Sequence, residues 1–128
     1  MEITGGCVCG AVRYRVDDEP QLNVLCFCRD CLSSFGCDGY PGMMVANKNF
    51  AVVQGETACY SRSASSGRQV TRHFCATCGT NVWGQTELDM VSVVAGTLDD
   101  PSIFVPEKAV FTEQAPSWAR IPKQLIEH

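Results

Sequence analysis

Seven of the nine cysteines in this 128-residue chain fall into three tight clusters, which constrain its fold more than any other feature. Cys7 and Cys9 form a C-x-C pair. Cys26, Cys28 and Cys31 form a C-x-C-x-x-C run, and Cys75 and Cys78 a C-x-x-C pair. Thiols at these spacings bring soft ligands to one cation with little chain entropy left to lose, which is how zinc is held. Zinc takes four ligands, so seven clustered thiols divide into a closed set of four and a set of three with an open position. A closed site holds a fold together, and an open one has room for chemistry.

At 13.9 kDa the chain has the length of one domain, read as residues 1–128, with a modest core that a metal staple would reinforce. A net charge of −4 and a pI of about 5.0 advertise no basic face for nucleic acid or an anionic membrane. The odd cysteine count, and an N-terminus without a charged-then-apolar leader, argue against a secreted disulfide framework. They point instead to a reducing, cytoplasmic setting that leaves thiols free for metal. The longest apolar stretch, Met90 to Leu98, is too short to span a bilayer.

Val12, Tyr14 and Val16 alternate with Arg13 and Arg15, the period of a half-buried strand. Further strands are expected at Leu22–Cys26, Met43–Ala46, Phe50–Gln54, Thr80–Trp83, Val91–Ala95 and Val110–Phe111. A hairpin is expected from Cys59–Ser63 and Gln69–Phe74, turning through Ser65-Ser66-Gly67. Cys28 to Phe35 reads as a short helical turn stopped by Gly36, and Lys123 to Glu127 as a terminal helical turn. Short strands separated by Gly and Pro make the fold class all-β, built of short antiparallel strands.

Cys7, Cys9, Cys75 and Cys78 are assigned to the closed zinc site, with an exchange of partners between clusters as the alternative. This metal would close a loop of roughly 65 residues and so remove much unfolded-state entropy. Glycines at 5, 6, 10 and 79 give the turns the backbone freedom to aim N–H groups at sulfur. Cys26, Cys28 and Cys31 remain as the open site. His73 lies in an alternating strand and reads as a packing residue rather than a fourth ligand. Three thiolates make zinc a weak Lewis acid, poor at generating hydroxide but well suited to keeping an incoming thiol deprotonated. A small-thiol substrate follows, with a purely structural knuckle as the alternative.

The three motifs carry a resemblance. They are Gly5-Gly6-Cys7-Val8-Cys9-Gly10-Ala11-Val12-Arg13-Tyr14, Cys26-Phe27-Cys28-Arg29-Asp30-Cys31, and Arg72-His73-Phe74-Cys75-Ala76-Thr77-Cys78-Gly79-Thr80. In this order they resemble the glutathione-dependent formaldehyde-activating enzyme family, which includes the centromere protein V domain. The resemblance implies a zinc-stabilised β-tent fold, with structural zinc on Cys7, Cys9, Cys75 and Cys78 and active-site zinc on Cys26, Cys28 and Cys31. It further implies a carbon–sulfur lyase that joins glutathione and formaldehyde reversibly as S-hydroxymethylglutathione.

Glutathione carries two carboxylates, and arginine forks pair with carboxylates. One or two of Arg62, Arg68 and Arg72, with Ser65, Ser66 or Gly67 of the hairpin tip, are the candidates to hold it. A solvated hairpin face is the alternative. Asp30 reads as a turn cap, Cys37 and Cys59 as small hydrophobes, and Trp83, Trp118 and Phe111 as core or interface. Two competing functions are a zinc-stabilised binding module and thiol redox chemistry, which would need Cys37 or Cys59. Exposed edges of short strands leave a homodimer open.

Overall fold

The structure, a computed structural model, describes residues 2–64 and 67–125. Alternating apolar residues do form strands, and the strand partners decide which face is buried. Among the described residues ten strands and one helix follow in order. They are β1 (Glu2–Gly6), β2 (Arg13–Asp17), β3 (Leu22–Cys26), α1 (Arg29–Phe35), β4 (Tyr40–Ala46), β5 (Phe50–Gln54), β6 (Thr57–Ser63), β7 (Gln69–Cys75), β8 (Asn81–Gln85), β9 (Met90–Val94) and β10 (Lys108–Val110). The all-β expectation holds. β1, β2 and β5 make a small antiparallel sheet, and the other seven make a large one in the order β10-β3-β4-β9-β8-β7-β6. Every pairing is antiparallel except that of the edge strand β10, which runs parallel to β3.

The core lies between the sheets. Ile3, Tyr14 and Val16 of the small sheet meet Met43, Val45, Val82, Val91 and Val93 of the large one. Phe50 and Trp83 close the gap, with ring centroids 4.9 Å apart. The Tyr14 hydroxyl, buried with its ring, is satisfied at 2.7 Å by Thr97. No described helix is long and apolar enough to cross a membrane.

Two departures from the sequence reading have clear causes. β1 holds one large apolar residue, Ile3, and two glycines, so it has little signal of its own. It forms because its register places Ile3 opposite Val16 and Gly5 opposite Tyr14. β4 begins at Tyr40 rather than Met43, since Tyr40 pairs with Cys26 and Gly42 with Val24 across β3. The turn after Cys28 is helical as expected, and Gly36 ends it in the left-handed conformation (φ 60°). At the chain end Lys123–Leu125 forms a single 3-10 turn; the rest of the expected turn, residues 126 and 127, lies outside the described residues.

β4 and β9 expose opposite faces to different surroundings. Met43, Val45, Val91 and Val93 point into the core, while Tyr40, Met44 and Ser92 point away from it, toward a cavity. Met43 is fully buried in the core and Val52 on β5 is exposed. Met43→Ala is therefore expected to cost about 2–5 kcal/mol in chemical denaturation. Val52→Ala should stay within about 0.5 kcal/mol of the parent.

Candidate active site

The sequence pairs its cysteine clusters across long distances, and the fold brings them together. Cys7 and Cys9 stand on the turn after β1, with Cys75 at the end of β7 and Cys78 on the turn before β8. Their four sulfurs lie within 4.8 Å of one another. The Cys7–Cys9 and Cys9–Cys75 sulfur separations are 3.6 Å and 3.7 Å. A tetrahedron with metal–sulfur bonds of ~2.3 Å has edges of about 3.8 Å, so the spacing fits zinc. Backbone N–H groups of Val12 and Cys78 donate to Cys7 Sγ and Cys75 Sγ at 3.2 Å and 3.5 Å. Gly10 and Gly79, both at positive φ, close the two turns and donate to the Cys7 and Cys75 carbonyls. The Thr80 hydroxyl, 3.1 Å from Cys78 Sγ, is the main cause of that thiol's fall to about 5.

Cys26 ends β3, Cys28 caps α1 and Cys31 sits in its first turn. Their sulfurs also lie within 4.8 Å of one another, and Cys28 Sγ accepts the Cys31 N–H at 3.3 Å. Three thiols this close titrate as one unit. Hydrogen bonds from the Cys26 and Cys31 thiols pull Cys28 down to about 2. The contact with Cys28 pushes Cys26 up to about 11, and those with Cys26 and Cys28 push Cys31 far up. A divalent cation is the counter-charge that lets all three ionise together, so this donor set also fits zinc.

The three-thiol cluster opens on a cavity of about 490 Å³ on the outer face of the large sheet. Val24, Met44, Val70, Val110 and Phe111 form apolar walls. Four of the chain's ten basic residues, Arg29, Arg62, Arg68 and Arg72, line it against one carboxylate, Asp30. A chain that is acidic overall thus presents a cationic cavity, which selects anionic ligands. Arg62 pairs with Asp30 at 3.0 Å, tying β6 to α1. Arg72 lies 4.6 Å over the Phe35 ring, with Nη2 3.9 Å from Cys31 Sγ. The Nε atoms of Arg62 and Arg72 are buried and have no partner among the described residues. Gln114 accepts the Arg29 N–H at 2.9 Å and so fastens the tail against α1.

Of the residues predicted to hold a thiol ligand, Arg62 and Arg68 line this cavity together with Cys26, Cys28 and Cys31. Gly67 lies on the hairpin turn, with its N–H on the Ala64 carbonyl, and is not among the lining residues. Ser65 and Ser66 lie outside the described residues. Asp30 spends its carboxylate on Arg62, and the cap position belongs to Cys28. His73 points to the opposite face, stacked on Trp83 at 3.7 Å with Nδ1 2.9 Å from the Thr57 hydroxyl. Cys37 packs against the three-thiol cluster, whereas Cys59 is exposed opposite His73. Trp83 packs on the core; Trp118 is 68% exposed. Sequence reasoning missed Tyr40, Ser92, Gly84 and Gln114. The first three share a face with Cys26 through the registers Cys26–Tyr40, Met44–Ser92 and Ser92–Gly84. Their alternation was visible, but their common face appears only when the strands are paired.

The profile of the glutathione-dependent formaldehyde-activating enzyme family matches residues 2–114. A curated Halomonas elongata protein, provisionally named a glutathione-dependent formaldehyde-activating enzyme, is 30% identical, the match spanning 94% of this chain and 82% of that protein. The crystal structure of a Rhodobacter sphaeroides protein, a structural-genomics target, superposes with a TM-score of 0.64 at 21% identity. It covers 83% of this chain and 98% of its own, a likeness of fold.

Cys75 is buried at the junction of the four-thiol cluster. Cys75→Ser is expected to lower bound zinc by one ion per chain and the melting temperature by roughly 10 °C or more. Metal analysis and a thermal scan check both.

Proposed function

The chain belongs to the glutathione-dependent formaldehyde-activating enzyme family, and from that membership we propose that it is a zinc-dependent carbon–sulfur lyase. Its substrate would be the glutathione adduct of a small aldehyde, of which S-hydroxymethylglutathione is the simplest. The observation that carries this reading is a three-thiol cluster opening on an arginine-lined cavity. Cys26, Cys28 and Cys31 would hold one zinc, and Cys7, Cys9, Cys75 and Cys78 a second that serves the fold. Zinc on three thiolates keeps a fourth position for the incoming thiol and stabilises its deprotonated form at neutral pH.

The chain's own residues supply the rest. Arg68 lines the cavity, is exposed and has no ion-pair partner among the described residues, so it would take a ligand carboxylate, and Arg62 would offer a second contact from its place beside Asp30. Arg72, braced on Phe35, sets a positive charge beside the sulfur cluster. The apolar walls exclude water from the reacting carbon and strengthen the polar contacts inside. A reducing cytoplasm suits nine free thiols and a glutathione co-substrate.

Zinc stoichiometry with and without excess glutathione, on the wild type and on Cys28→Ser, tests the reading. Two ions per chain are expected, with one lost in Cys28→Ser. One ion per chain, indifferent to both the thiol and the substitution, would leave a zinc-stabilised binding module. Arg68→Ala is expected to weaken glutathione binding by roughly tenfold, the low end for a charge-assisted contact, with zinc content unchanged. Titration calorimetry reads this directly.

A further inference from the structure

The cavity contains a hydroxyl pair that the proposed thiol chemistry has not used. Tyr40 and Ser92 are both buried, both line the cavity, and their oxygens are 2.7 Å apart. Two hydroxyls carry two hydrogens, and one of them makes this bond. The second has no protein acceptor among the described residues. A buried donor left over in this way is costly unless something from the cavity accepts it.

The surroundings show that the fold makes room for the pair. Gly42 lies beside it on β4, where a Cβ would come within 2.8 Å of the Tyr40 ring and 3.0 Å of Ser92 Oγ. A side chain there would displace one hydroxyl or the other. Across the ladder Ser92 faces Gly84, and Gly84 faces Arg72. Gly84 is buried, yet a Cβ built on it meets only the Thr71 carbonyl, at 3.5 Å. Glycine in a strand interior often marks close approach of a ligand. A small open space therefore lies over Gly84. The hydroxyl pair stands on one side, and Arg72, with a buried Nε that has no partner among the described residues, on the other. Tyr40 also packs against Cys26 and Cys31, so this space adjoins the sulfur cluster.

We infer that the Tyr40–Ser92 pair and Arg72 Nε are donors to the oxygen of the aldehyde-derived carbon. This rests on the thiol-adduct reading above and deepens it. In the forming direction the substrate thiolate attacks the aldehyde carbon. The C–S bond forms, the carbonyl π pair moves onto oxygen, and solvent supplies the proton that completes the hemithioacetal. In the reverse direction the hydroxyl proton returns to solvent, C=O re-forms, and the C–S pair goes back to sulfur. Negative charge grows on oxygen at the transition state in both directions, so donors fixed there act on rate more than on binding.

The test compares wild type, Ser92→Ala and Tyr40→Phe in the formation of S-hydroxymethylglutathione from glutathione and formaldehyde. The rate is read above the spontaneous reaction, alongside glutathione affinity and zinc content. The double variant, which removes the spare hydrogen, is expected to lose roughly 10²–10³-fold in rate, the usual effect of removing one such donor. Glutathione affinity should stay within about twofold and zinc content should be unchanged. Each single variant keeps one hydroxyl hydrogen to donate and should fall between the wild type and the double variant. A wild-type rate in the double variant, or losses that track glutathione affinity or zinc, overturn the inference alone. A wild type that does not accelerate the reaction removes the lyase reading and the inference with it.

Discussion

The register between β4 and β9 is the constraint on which the rest depends. Met43 opposes Val93 and Val45 opposes Val91, and all four are buried against the small sheet. The same register sets Met44 against Ser92 on the other face, where the cavity lies. A slip of one residue would carry the core residues to the cavity and the cavity residues into the core. Burying four large apolar side chains is worth several kcal/mol, far more than any polar contact at the site can oppose. Core packing therefore places the site, and the site's polar groups follow.

The two thiol clusters stand at the margins of this arrangement and act in different directions. The four-thiol cluster joins the turn after β1 to the end of β7, linking the small sheet to the large one at points 66 residues apart between Cys9 and Cys75. A metal held there would remove conformational freedom mainly from the unfolded chain. The three-thiol cluster is local by comparison, spanning the β3–α1 junction and facing the cavity. Its neighbours Phe35, Tyr40 and Val110 come from α1, β4 and β10, so its shape depends on sheet packing.

The sequence made both clusters legible because ligand spacing is a local signal, and C-x-C and C-x-x-C need no tertiary information to be read. The strands at Leu22–Cys26 and Phe50–Gln54 were equally plain from apolar content and bounding turns. The glycine-rich first strand was not, because its stability comes from pairing with β2. Arg62 and Arg68 were singled out by chemical type, since arginine suits a carboxylate wherever it stands, and both line the cavity. Tyr40, Ser92 and Gly84 escaped because a tyrosine, a serine and a glycine are ordinary strand residues until three ladders bring them to one face. Gln114 was hidden for another reason: its role is to receive a backbone N–H from residue 29, a contact without any sequence motif.

The Arg62–Asp30 pair has a bearing on how long a ligand stays. Asp30 belongs to the short helix that carries two of the three clustered thiols, and it already occupies one side of the Arg62 fork. An incoming carboxylate must share that guanidinium or displace a resident rival of the same chemical kind. A rival held on the protein has an unchanging local concentration, so it re-forms its bond as soon as the ligand loosens. Such internal competition shortens residence more than it slows arrival. For the proposed activity, which would release an adduct as readily as it captures a thiol, a carboxylate built into the wall would favour turnover over retention.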